Sequence, residues 1–536
     1  MSTLADLIVT DLQRAGVRAV FGVPGGGSNL DLIEAAGKAG LPFVLTSTET
    51  GGAIAAMAQA EITGQPGACL TTLGPGVSSV VNGVACAFLD RAPLMVFTDS
   101  HPSAARGVFE HQRLDHAALL GPVAKWSRSL EGDAAVETLL TAFLNLETGR
   151  PGPVHLDCPG DVLRGPMEAR VLRSGLTRGS EGPPLPRPTS NERLQTLIQT
   201  ARRPLLLVGL GARGKNDAPA IRALCERCRV PAMVTYKAKG VVPDHHPWFA
   251  GVFTNAMIEQ ALIADSDLLI GIGLDPVELI PRVWRLDRPV VYCGPWPVED
   301  QHVPFAGQLI TDVPSAVRWI ESLLRESAWS QSQVRHAVEE QRRAVSVPAQ
   351  GLTAQRVVYI AAGRLARTSR VAVDAGAHMF PATVLWPVFE PNQMLISNGL
   401  STMGFALPAA IGAALLDRDR PVVALTGDGG LLMCAGELLT AVRERLRIMV
   451  IVFSDASLSL IEIKQQARKM TPAGVALGMI DWPALAESVG MRGLRATTEA
   501  EVNTAIEHAI AGAGPTLIEA RIDRSNYGAT LRAVRG

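Results

Sequence analysis

Two aspartates, Asp428 and Asp455, have the types and the spacing of a metal site. They lie in residues 421–457, PVVALTGDGGLLMCAGELLTAVRERLRIMVIVFSDAS. Each follows an apolar run that is typical of a buried strand, and their separation of 27 positions allows one crossover helix. Both strands of a right-handed βαβ unit end at one crevice, so the carboxylates can converge. The alternative is that Asp428 is a turn residue and Asp455 an unrelated helix cap or Asx-turn.

Three glycines surround the first aspartate, at Gly427, Gly429 and Gly430. Glycine lets the backbone approach a ligand closely, and the N-terminus of the helix that follows favours an anion. Two carboxylates combined with phosphate oxygens form a hard-oxygen site that suits Mg²⁺. The pattern therefore predicts a magnesium site beside a phosphate group.

The elements that must position these residues alternate along all 536 residues, as short apolar runs and amphipathic segments. This alternation predicts an α/β fold with three doubly wound parallel-sheet domains, at residues 1–165, 190–326 and 350–536. A Pro- and Gly-rich linker (164–190) and a polar, partly helical connection (327–350) separate them. We predict strands at 19–23, 43–47, 68–73, 94–99, 204–209, 232–236, 267–273, 290–294, 371–376, 394–398, 422–427, 448–454 and 516–522.

The first and third blocks repeat one design. Residues 68–99 and 422–455 both read as strand, Gly-x-Gly turn, helix, strand, and then a polar residue followed by Asp. Pro75 stands where Asp428 stands, so only the third block carries the pair of acids.

Composition excludes several functions. The formal net charge of −1 leaves no basic footprint for nucleic acid. No apolar run approaches the ~20 residues of a membrane span, and the acidic N-terminal segment does not resemble a signal peptide. The seven cysteines are irregularly spaced, and the CxxC at Cys225 and Cys228 reads as part of a helix. We expect a reduced, cytoplasmic protein that binds neither nucleic acid nor membrane.

Five segments together carry a family resemblance. They are GDGG with its later Ser-Asp pair, GVPGGG (22–27), TGQPGACLTTLGPGVSSVVNGVACAFLDRAPL (63–94), GRPGPVHLDCPGDV (149–162) and SNGLSTMGFALPAAIGAAL (397–415). The chain resembles the thiamine-diphosphate-dependent enzymes of the acetohydroxyacid synthase and benzoylformate decarboxylase group. The resemblance extends over nearly the whole sequence and all three domains.

The resemblance implies roles for individual residues. Glu49 would hydrogen-bond the aminopyrimidine ring of thiamine diphosphate, the alternative being a surface loop acid. Asp428, Asp455 and the backbone carbonyl of Ser457 would bind Mg²⁺. Met403 would support the cofactor, although core packing suits methionine equally well. The cofactor-binding set that the resemblance implies is Gly376, His378, Met403, Gly427, Gly429, Gly430 and Ser457.

The chain departs from the family pattern at the second metal ligand and near the substrate. Asp455 replaces the usual Asn and adds a negative charge, which helix dipoles, Mg²⁺ and His378 would have to offset. The tryptophan that acetohydroxyacid synthases carry near Lys464 is absent. Lys464 or its neighbours would then meet an anionic substrate, or Lys464 is simply an exposed helix lysine.

A third departure lies in the segment FEHQRLDHAALLGPVAKW (109–126), where His111 replaces the phenylalanine before Gln112. His101, His111 and His116 are therefore candidate proton donors, because a neutral histidine suits that task near pH 7. We favour His111, which makes Glu49, His111 and Gln112 the predicted catalytic set.

The middle block contains a complete GxGxxG at Gly209, Gly211 and Gly214. It follows a predicted strand, as a dinucleotide site requires, but no acid ends the next strand. We interpret it as a relic of the fold and expect no bound FAD.

The expected function is non-oxidative, Mg²⁺- and thiamine-diphosphate-dependent decarboxylation of a 2-oxo acid. The alternatives are an acetolactate-synthase-like carboligase, a flavin-dependent oxidase and a non-catalytic cofactor-binding homologue, against which the intact Glu49 argues. Because Glu49 and Asp428 lie in different predicted domains, the resemblance implies a homodimer or homotetramer with its active site between chains.

Overall fold

The computed structural model describes residues 2–105, 108–167, 192–299 and 302–536. It contains three six-stranded, all-parallel sheets flanked by helices, which confirms the predicted α/β fold with three parallel sheets. Most of the predicted linker at 164–190 lies outside the described residues. No helix among the described residues is long and apolar enough to cross a membrane.

Each sheet is formed by consecutive strands of the chain. The first contains β1 (Val20–Val23), β2 (Phe43–Leu45), β3 (Gly67–Thr71), β4 (Leu94–Ser100), β5 (Trp126–Ser129) and β6 (Val154–Pro159). The second contains β7 (Pro204–Val208), β8 (Ala232–Val234), β9 (Phe249–Val252), β10 (Leu268–Ile272), β11 (Val290–Gly294) and β12 (Phe305–Ile310). The third contains β13 (Arg370–Val373), β14 (Met394–Ile396), β15 (Val422–Gly427), β16 (Ile448–Ser454), β17 (Arg492–Ala496) and β18 (Thr516–Arg521).

Helices connect these strands. In the first 167 residues they are Leu4–Arg14, Asn29–Ala39, Glu49–Thr63, Pro75–Leu89, His116–Leu120, Ala135–Glu147 and Gly160–Leu163. Between residues 192 and 345 they are Glu192–Thr200, Asp217–Cys228, Gln260–Ala264, Val313–Leu323 and Gln331–Val345. The remaining α-helices are Ala354–Leu365, Met379–Leu385, Ala406–Leu416, Asp428–Cys434, Glu437–Arg443, Ser459–Ala467, Trp482–Ser488, Glu499–Ala511 and Tyr527–Arg535. Short 3₁₀ turns occur at Ser103–Ala105, Gly121–Val123, Gly132–Ala134, Leu210–Ala212, Met257–Glu259 and Pro276–Glu278.

The first and third sheets share one strand order. It is β2-β1-β3-β4-β6-β5 in the first sheet and β14-β13-β15-β16-β18-β17 in the third, as the internal repeat predicts. The second sheet has the order β12-β11-β10-β7-β8-β9, which is the arrangement of dinucleotide-binding folds.

All thirteen predicted strands occur, and five further strands were missed: β5, β6, β9, β12 and β17. Four of the five form sheet edges. An edge strand has one unpaired side, and strands such as β5 (WSRS) and β17 (RGLRA) carry polar residues instead of a continuous apolar run. The interior strand β6 (VHLDCP) was missed because it buries histidine beside an aspartate.

The described chain divides into two compact units. The first contains the described residues of Met1–Pro183 together with Gly399–Asp419 and Cys434–Ile448. The second contains the described residues of Pro184–Asn398 with Arg420–Met433 and Met449–Gly536.

The helix Glu49–Thr63 occupies the core of the first unit, where every residue from Gly51 to Glu61 is buried. It packs closely against the helix Ala406–Leu416 of the same unit. A Cβ atom on Gly412 would lie 2.2 Å from the carbonyl oxygen of Ala55, so only glycine permits this approach. Gln59 Nε2 also donates a hydrogen bond to the Gly412 carbonyl oxygen, at 3.1 Å. These contacts hold the helix that begins at Glu49.

Glycine is required at Gly22, where β1 pairs with β3. Its φ is +152°, and an added Cβ would lie 1.9 Å from the carbonyl oxygen of Leu70. We expect Gly22→Ala to destabilise the protein by about 3 kcal/mol and to lower the apparent unfolding temperature by several degrees, because overpacking adds to backbone strain. Differential scanning fluorimetry at a fixed heating rate measures this. Gly26→Ala is the matched control, because nothing lies within 4 Å of its Cβ position. Equal melting of the two variants would contradict the expectation.

Candidate active site

The strand order of the third sheet has its switch point between β13 and β15, where ligands of such sheets bind. Asp374 follows β13 directly, and its Oδ2 accepts a hydrogen bond from Thr426 Oγ1 of β15, at 2.8 Å. Its Oδ1 accepts from the Ala375 amide, at 2.9 Å. Asp374 therefore ties together the two loops that face the crevice. Its position at the end of a buried strand, like that of Asp428, is the signal by which the sequence could have identified it.

The structure brings Asp428 and the segment of Asp455 into direct contact. Asp428 Oδ2 accepts hydrogen bonds from the amides of Asp455 (3.1 Å) and Ala456 (2.7 Å). Its Oδ1 accepts from the Gly429 amide, at 2.8 Å. The turn after β16 depends on Ala456, whose φ is +60°. The two aspartates are thus partners at neighbouring strand ends, as the spacing predicts.

The second aspartate is held by the turn that follows it. Asp455 Oδ1 accepts from the Ser457 amide (3.0 Å) and Oδ2 from Ser459 Oγ (2.7 Å). Burial raises the pKa of Asp455 to about 6, and the neighbouring charge of Asp428 adds to this rise. Burial also raises the pKa of Asp428. Asp428 is buried and Asp455 is half-buried. Two such carboxylates at close range disfavour the doubly charged state, and a bound cation relieves this repulsion.

This donor set fits Mg²⁺. Among the described residues, no group of three or more His, Cys, Asp or Glu side chains could hold a metal ion. A metal here would therefore have two carboxylates, with backbone carbonyl and phosphate or water oxygens completing the shell. Mg²⁺ usually binds in this way, through one or two carboxylates and substrate phosphates. Ser457 is buried beside Asp455, and its hydroxyl donates to Glu462 Oε2 at 2.7 Å.

His378 lies against both glycine loops of this crevice. A Cβ atom on Gly376 would lie 2.7 Å from His378 Cε1, and one on Gly427 would lie 3.6 Å away. The ring stacks on Phe453, with ring centroids 4.9 Å apart and planes 11° apart. Burial lowers the pKa of His378 to about 4, and its buried Nε2 has no hydrogen-bond partner in the described chain.

Burial thus favours the neutral form of His378. Its expected part in offsetting the extra charge of Asp455 stays a prediction. Its unpartnered Nε2 still fits a hydrogen bond with a bound group.

Within the first unit, Glu49 is the first residue of its helix. Thr48 caps this helix by accepting a hydrogen bond from the Gly51 amide at 2.9 Å. The half-buried Glu49 carboxylate forms no hydrogen bond or ion pair with the part of the chain that the structure describes. A Cβ atom on Gly76 would lie 3.4 Å from Glu49 Oε1, so the side chain lies where the loop after β3 enters the helix Pro75–Leu89. It is available to a ligand.

The same loop contacts a buried histidine. The Gly74 amide donates to His116 Nε2 at 3.3 Å, and His116 Nδ1 donates to Asp157 Oδ1 at 2.6 Å. Burial raises the pKa of Asp157, but hydrogen bonds from His116 and His155 outweigh it and hold the pKa well below its usual range. The Asp157 carboxylate thus orients the His116 ring.

The other two candidate histidines are more open to solvent. His111 is exposed, and its carbonyl oxygen accepts from His101 Nε2 at 3.2 Å. Gln112 is exposed and has a φ of +56°. Its backbone packs against Gly74, because a Cβ atom on Gly74 would lie only 2.7 Å from the Gln112 carbonyl oxygen. The preference for His111 stays a prediction. A cavity of about 570 Å³ adjoins this segment, and its lining includes His101, Gln112, Arg113, His116, Ser129 and Asp157.

Met403 belongs to the first unit and lies half-buried in a tight turn. Ser401 and Gly404, on either side, have φ angles of +52° and +78°. Thr402 Oγ1 donates to Asn82 Oδ1 at 3.1 Å, which anchors the turn.

Lys464 is exposed on its helix, which agrees with the alternative of a simple surface lysine.

The glycine-rich loop of the second sheet forms a hydrogen bond with an acidic side chain of the same chain, Glu278. The amide of Leu210, inside GxGxxG, donates to Glu278 Oε2 at 2.8 Å. Thr235 Oγ1 donates to Glu278 Oε1 at 2.6 Å. Burial raises the pKa of Glu278 to about 8. A carboxylate from a distant part of the chain thus uses an amide that a dinucleotide phosphate would need. The sequence did not reveal this contact.

Three protein-family models match the chain and together cover well over half of it. They describe the thiamine pyrophosphate enzyme N-terminal TPP binding domain (residues 2–119), its central domain (192–294) and its C-terminal TPP binding domain (374–520).

Full-length relatives match as well. Acetolactate synthase of Bacillus subtilis (strain 168) is 29% identical over 97% of this chain and 93% of its own length. The catabolic acetolactate synthase of Raoultella terrigena is 28% identical over 97% of this chain and 95% of its own. A probable 2-ketoarginine decarboxylase of Pseudomonas aeruginosa is 28% identical over 97% of this chain and 94% of its own length. With the acid pair at the neighbouring ends of β15 and β16 and Glu49 open to a ligand, these matches show that the chain belongs to the thiamine pyrophosphate enzyme family, in the acetolactate synthase group.

Proposed function

We propose that this enzyme is a Mg²⁺- and thiamine-diphosphate-dependent decarboxylase that cleaves a 2-oxo acid without oxidation. The observation that carries the proposal is the half-buried carboxylate of Glu49, which starts a rigid helix and has no partner among the described residues. An acid kept in this state suits proton transfer with a bound ring. The similarity to a probable 2-ketoarginine decarboxylase supports the same chemistry.

Bound thiamine diphosphate supplies the carbon nucleophile and the electron sink that decarboxylation requires. Asp428, Asp455 and the Ser457 carbonyl would hold Mg²⁺. The loops with Gly376, His378, Gly427, Gly429 and Gly430 would bind the diphosphate through backbone amides and the His378 ring. Met403 would support the cofactor from its anchored turn.

The chain's acid and histidines would move the protons. Glu49 would hold a proton at the aminopyrimidine nitrogen that it faces. Release of an aldehyde needs a further proton at the reacting carbon, and His111 with Gln112 would deliver it. His116 is a second source, because Asp157 orients its ring.

A carboligase is the second candidate. Two acetolactate synthases, 29% and 28% identical to this chain over 97% of its length, favour it. The cavity of about 570 Å³ beside Gln112 and His116 offers room for a second carbonyl substrate. Carboligation shares the decarboxylation half-reaction, so the two candidates differ in whether a proton or a second carbonyl reaches the reacting carbon.

The oligomer and the compartment stay predictions. We propose a homodimer or homotetramer in the cytoplasm, with each active site shared between chains and a small 2-oxo acid as substrate. The residues of the central loop support the proposal that no FAD is bound, because Glu278 takes up a fingerprint amide.

Glu49→Gln tests the proposed function. We expect CO₂ release to fall at least about 100-fold, because an amide cannot exchange the proton held at the ring nitrogen. The dissociation constant for thiamine diphosphate should change by less than about threefold, since the metal and diphosphate contacts remain. Steady-state CO₂ assays over a panel of 2-oxo acids and cofactor titration measure these quantities. Glu34→Gln, at an exposed acid paired with Lys38, is the control. An unchanged rate in Glu49→Gln would refute the proposal.

Asp455→Asn tests the metal site. We expect cofactor affinity in Mg²⁺ to stay the same or to rise, because asparagine keeps one oxygen ligand and removes a charge beside the diphosphate. Asp428→Asn is the contrasting variant and should weaken affinity by about tenfold or more, since its amide group would face the donor amides of Asp455 and Ala456. Titration calorimetry measures both. A large loss of affinity in Asp455→Asn would count against its assignment as a ligand.

The partition of products separates the two candidate functions. In pre-steady-state reactions with pyruvate in large excess over enzyme, so that a second carbonyl is available, we expect acetaldehyde to exceed acetolactate. The reason is that histidines line the cavity beside the loop after β3 and can supply a proton. Chromatography of the quenched reaction measures both products. Acetolactate as the main product would favour the carboligase instead.

A further inference from the structure

A second buried acid lies directly beside the backbone that precedes Glu49. Glu437 belongs to the first unit and is fully buried. Its Oε1 accepts hydrogen bonds from the amides of Ser47 and Thr48, each at 3.1 Å. Thr48 Oγ1 also donates to Oε1, at 3.3 Å, and Thr440 Oγ1 donates to Oε2, at 2.8 Å. One carboxylate thus binds the two residues that come immediately before Glu49.

The surroundings are shaped for this carboxylate. A Cβ atom on Gly51 would lie 2.2 Å from Glu437 Oε1, so only glycine in the first turn of the helix leaves room. Ser47 Oγ donates to the Gly436 carbonyl oxygen at 2.7 Å. The side chain of Arg443 donates to the Leu45 carbonyl oxygen, at the end of β2. The whole segment from β2 to Glu49 is therefore bound to the short helix that contains Glu437.

The electrostatics explain why the acid is tolerated. Burial raises the pKa of Glu437, and hydrogen bonds from Thr440, Ser47 and Thr48 oppose that rise. The carboxylate also lies at the positive end of the 15-residue helix Glu49–Thr63. Amide donors and a helix N-terminus are the environment in which a buried carboxylate is best accommodated.

Glu49 itself has no partner among the described residues, so its direction depends on the backbone that bears it. Glu437 determines that backbone through the amides of Ser47 and Thr48. We propose that Glu437 is a positioning residue for the reaction: it sets the direction in which Glu49 meets the cofactor's pyrimidine ring. This inference rests on the proposed function of Glu49. The competing interpretation is that Glu437 only stabilises the packing of its helix.

The test is a double-mutant cycle with Glu437→Gln and Glu49→Gln in the full-length enzyme. The readouts are hydrogen–deuterium exchange at the thiazolium carbon of bound thiamine diphosphate, cofactor affinity, and the apparent unfolding temperature of the cofactor-free protein. We expect Glu437→Gln to slow exchange about 10- to 100-fold at saturating cofactor, while affinity changes less than about threefold. In the Glu49→Gln background, Glu437→Gln should slow exchange less than about twofold further, because both residues act through one group.

Glu444→Gln is the matched control. Glu444 follows the same short helix and pairs with Arg418 at 3.7 Å, away from Ser47 and Thr48. It should leave the exchange rate unchanged. If Glu437→Gln does not fold, Thr440→Val removes one hydrogen bond to the carboxylate at nearly constant volume and should slow exchange about threefold.

Three outcomes would overturn the inference. The first is an unchanged exchange rate in Glu437→Gln. The second is an exchange rate that recovers fully once the cofactor is saturating, which is the behaviour of a merely structural residue. The third is equal slowing in the wild-type and Glu49→Gln backgrounds. Failure of the proposed function is distinct, because Glu49→Gln would then keep both exchange and CO₂ release.

Discussion

Hydrogen bonds from the amides of Asp455 and Ala456 to the Asp428 carboxylate join the ends of two neighbouring parallel strands. The candidate metal site depends on this contact, because it brings the second aspartate to the first. Parallel strands make it possible, since their carboxyl ends meet at one edge of the sheet. Asp374 adds a similar link between β13 and β15 through Thr426. The crevice is therefore preorganised by backbone amides and short polar side chains.

Buried and half-buried acids recur in this protein, and each is stabilised differently. Glu437 accepts backbone amides at a helix N-terminus, whereas Glu278 occupies an amide of the glycine-rich loop. Asp157 is paired with His116. Asp428 and Asp455 are instead adjacent acids whose pKa values are raised by burial, and their mutual repulsion favours a cation. This repulsion distinguishes the pair from the other acids and suits it to a metal, although Asp428 also binds backbone amides.

Much of the fold could be predicted because strands buried on both faces are apolar throughout. Edge strands such as β5 and β17 were not predicted, because one side of each is unpaired and polar residues are tolerated there. The internal repeat could be identified because residues 68–99 and 422–455 share one pattern of apolar runs and glycines. The two sheets that contain these segments have the same strand order. The neutral form of His378 could not be predicted from the sequence, because the burial that lowers its pKa is a property of the packed core.

The sequence by itself determined the α/β class, the repeated βαβ design and the spacing that lets Asp428 and Asp455 meet. Local patterns carry this information, because apolar runs, glycines and strand-end acids act over a few residues. Only the tertiary structure decided that Glu437 contacts Ser47 and Thr48, hundreds of residues away. It also decided that Glu278 accepts a hydrogen bond from the Leu210 amide of the glycine-rich loop. These contacts join segments that no periodicity connects, and a buried charge is satisfied by whichever donors the packed chain brings to it.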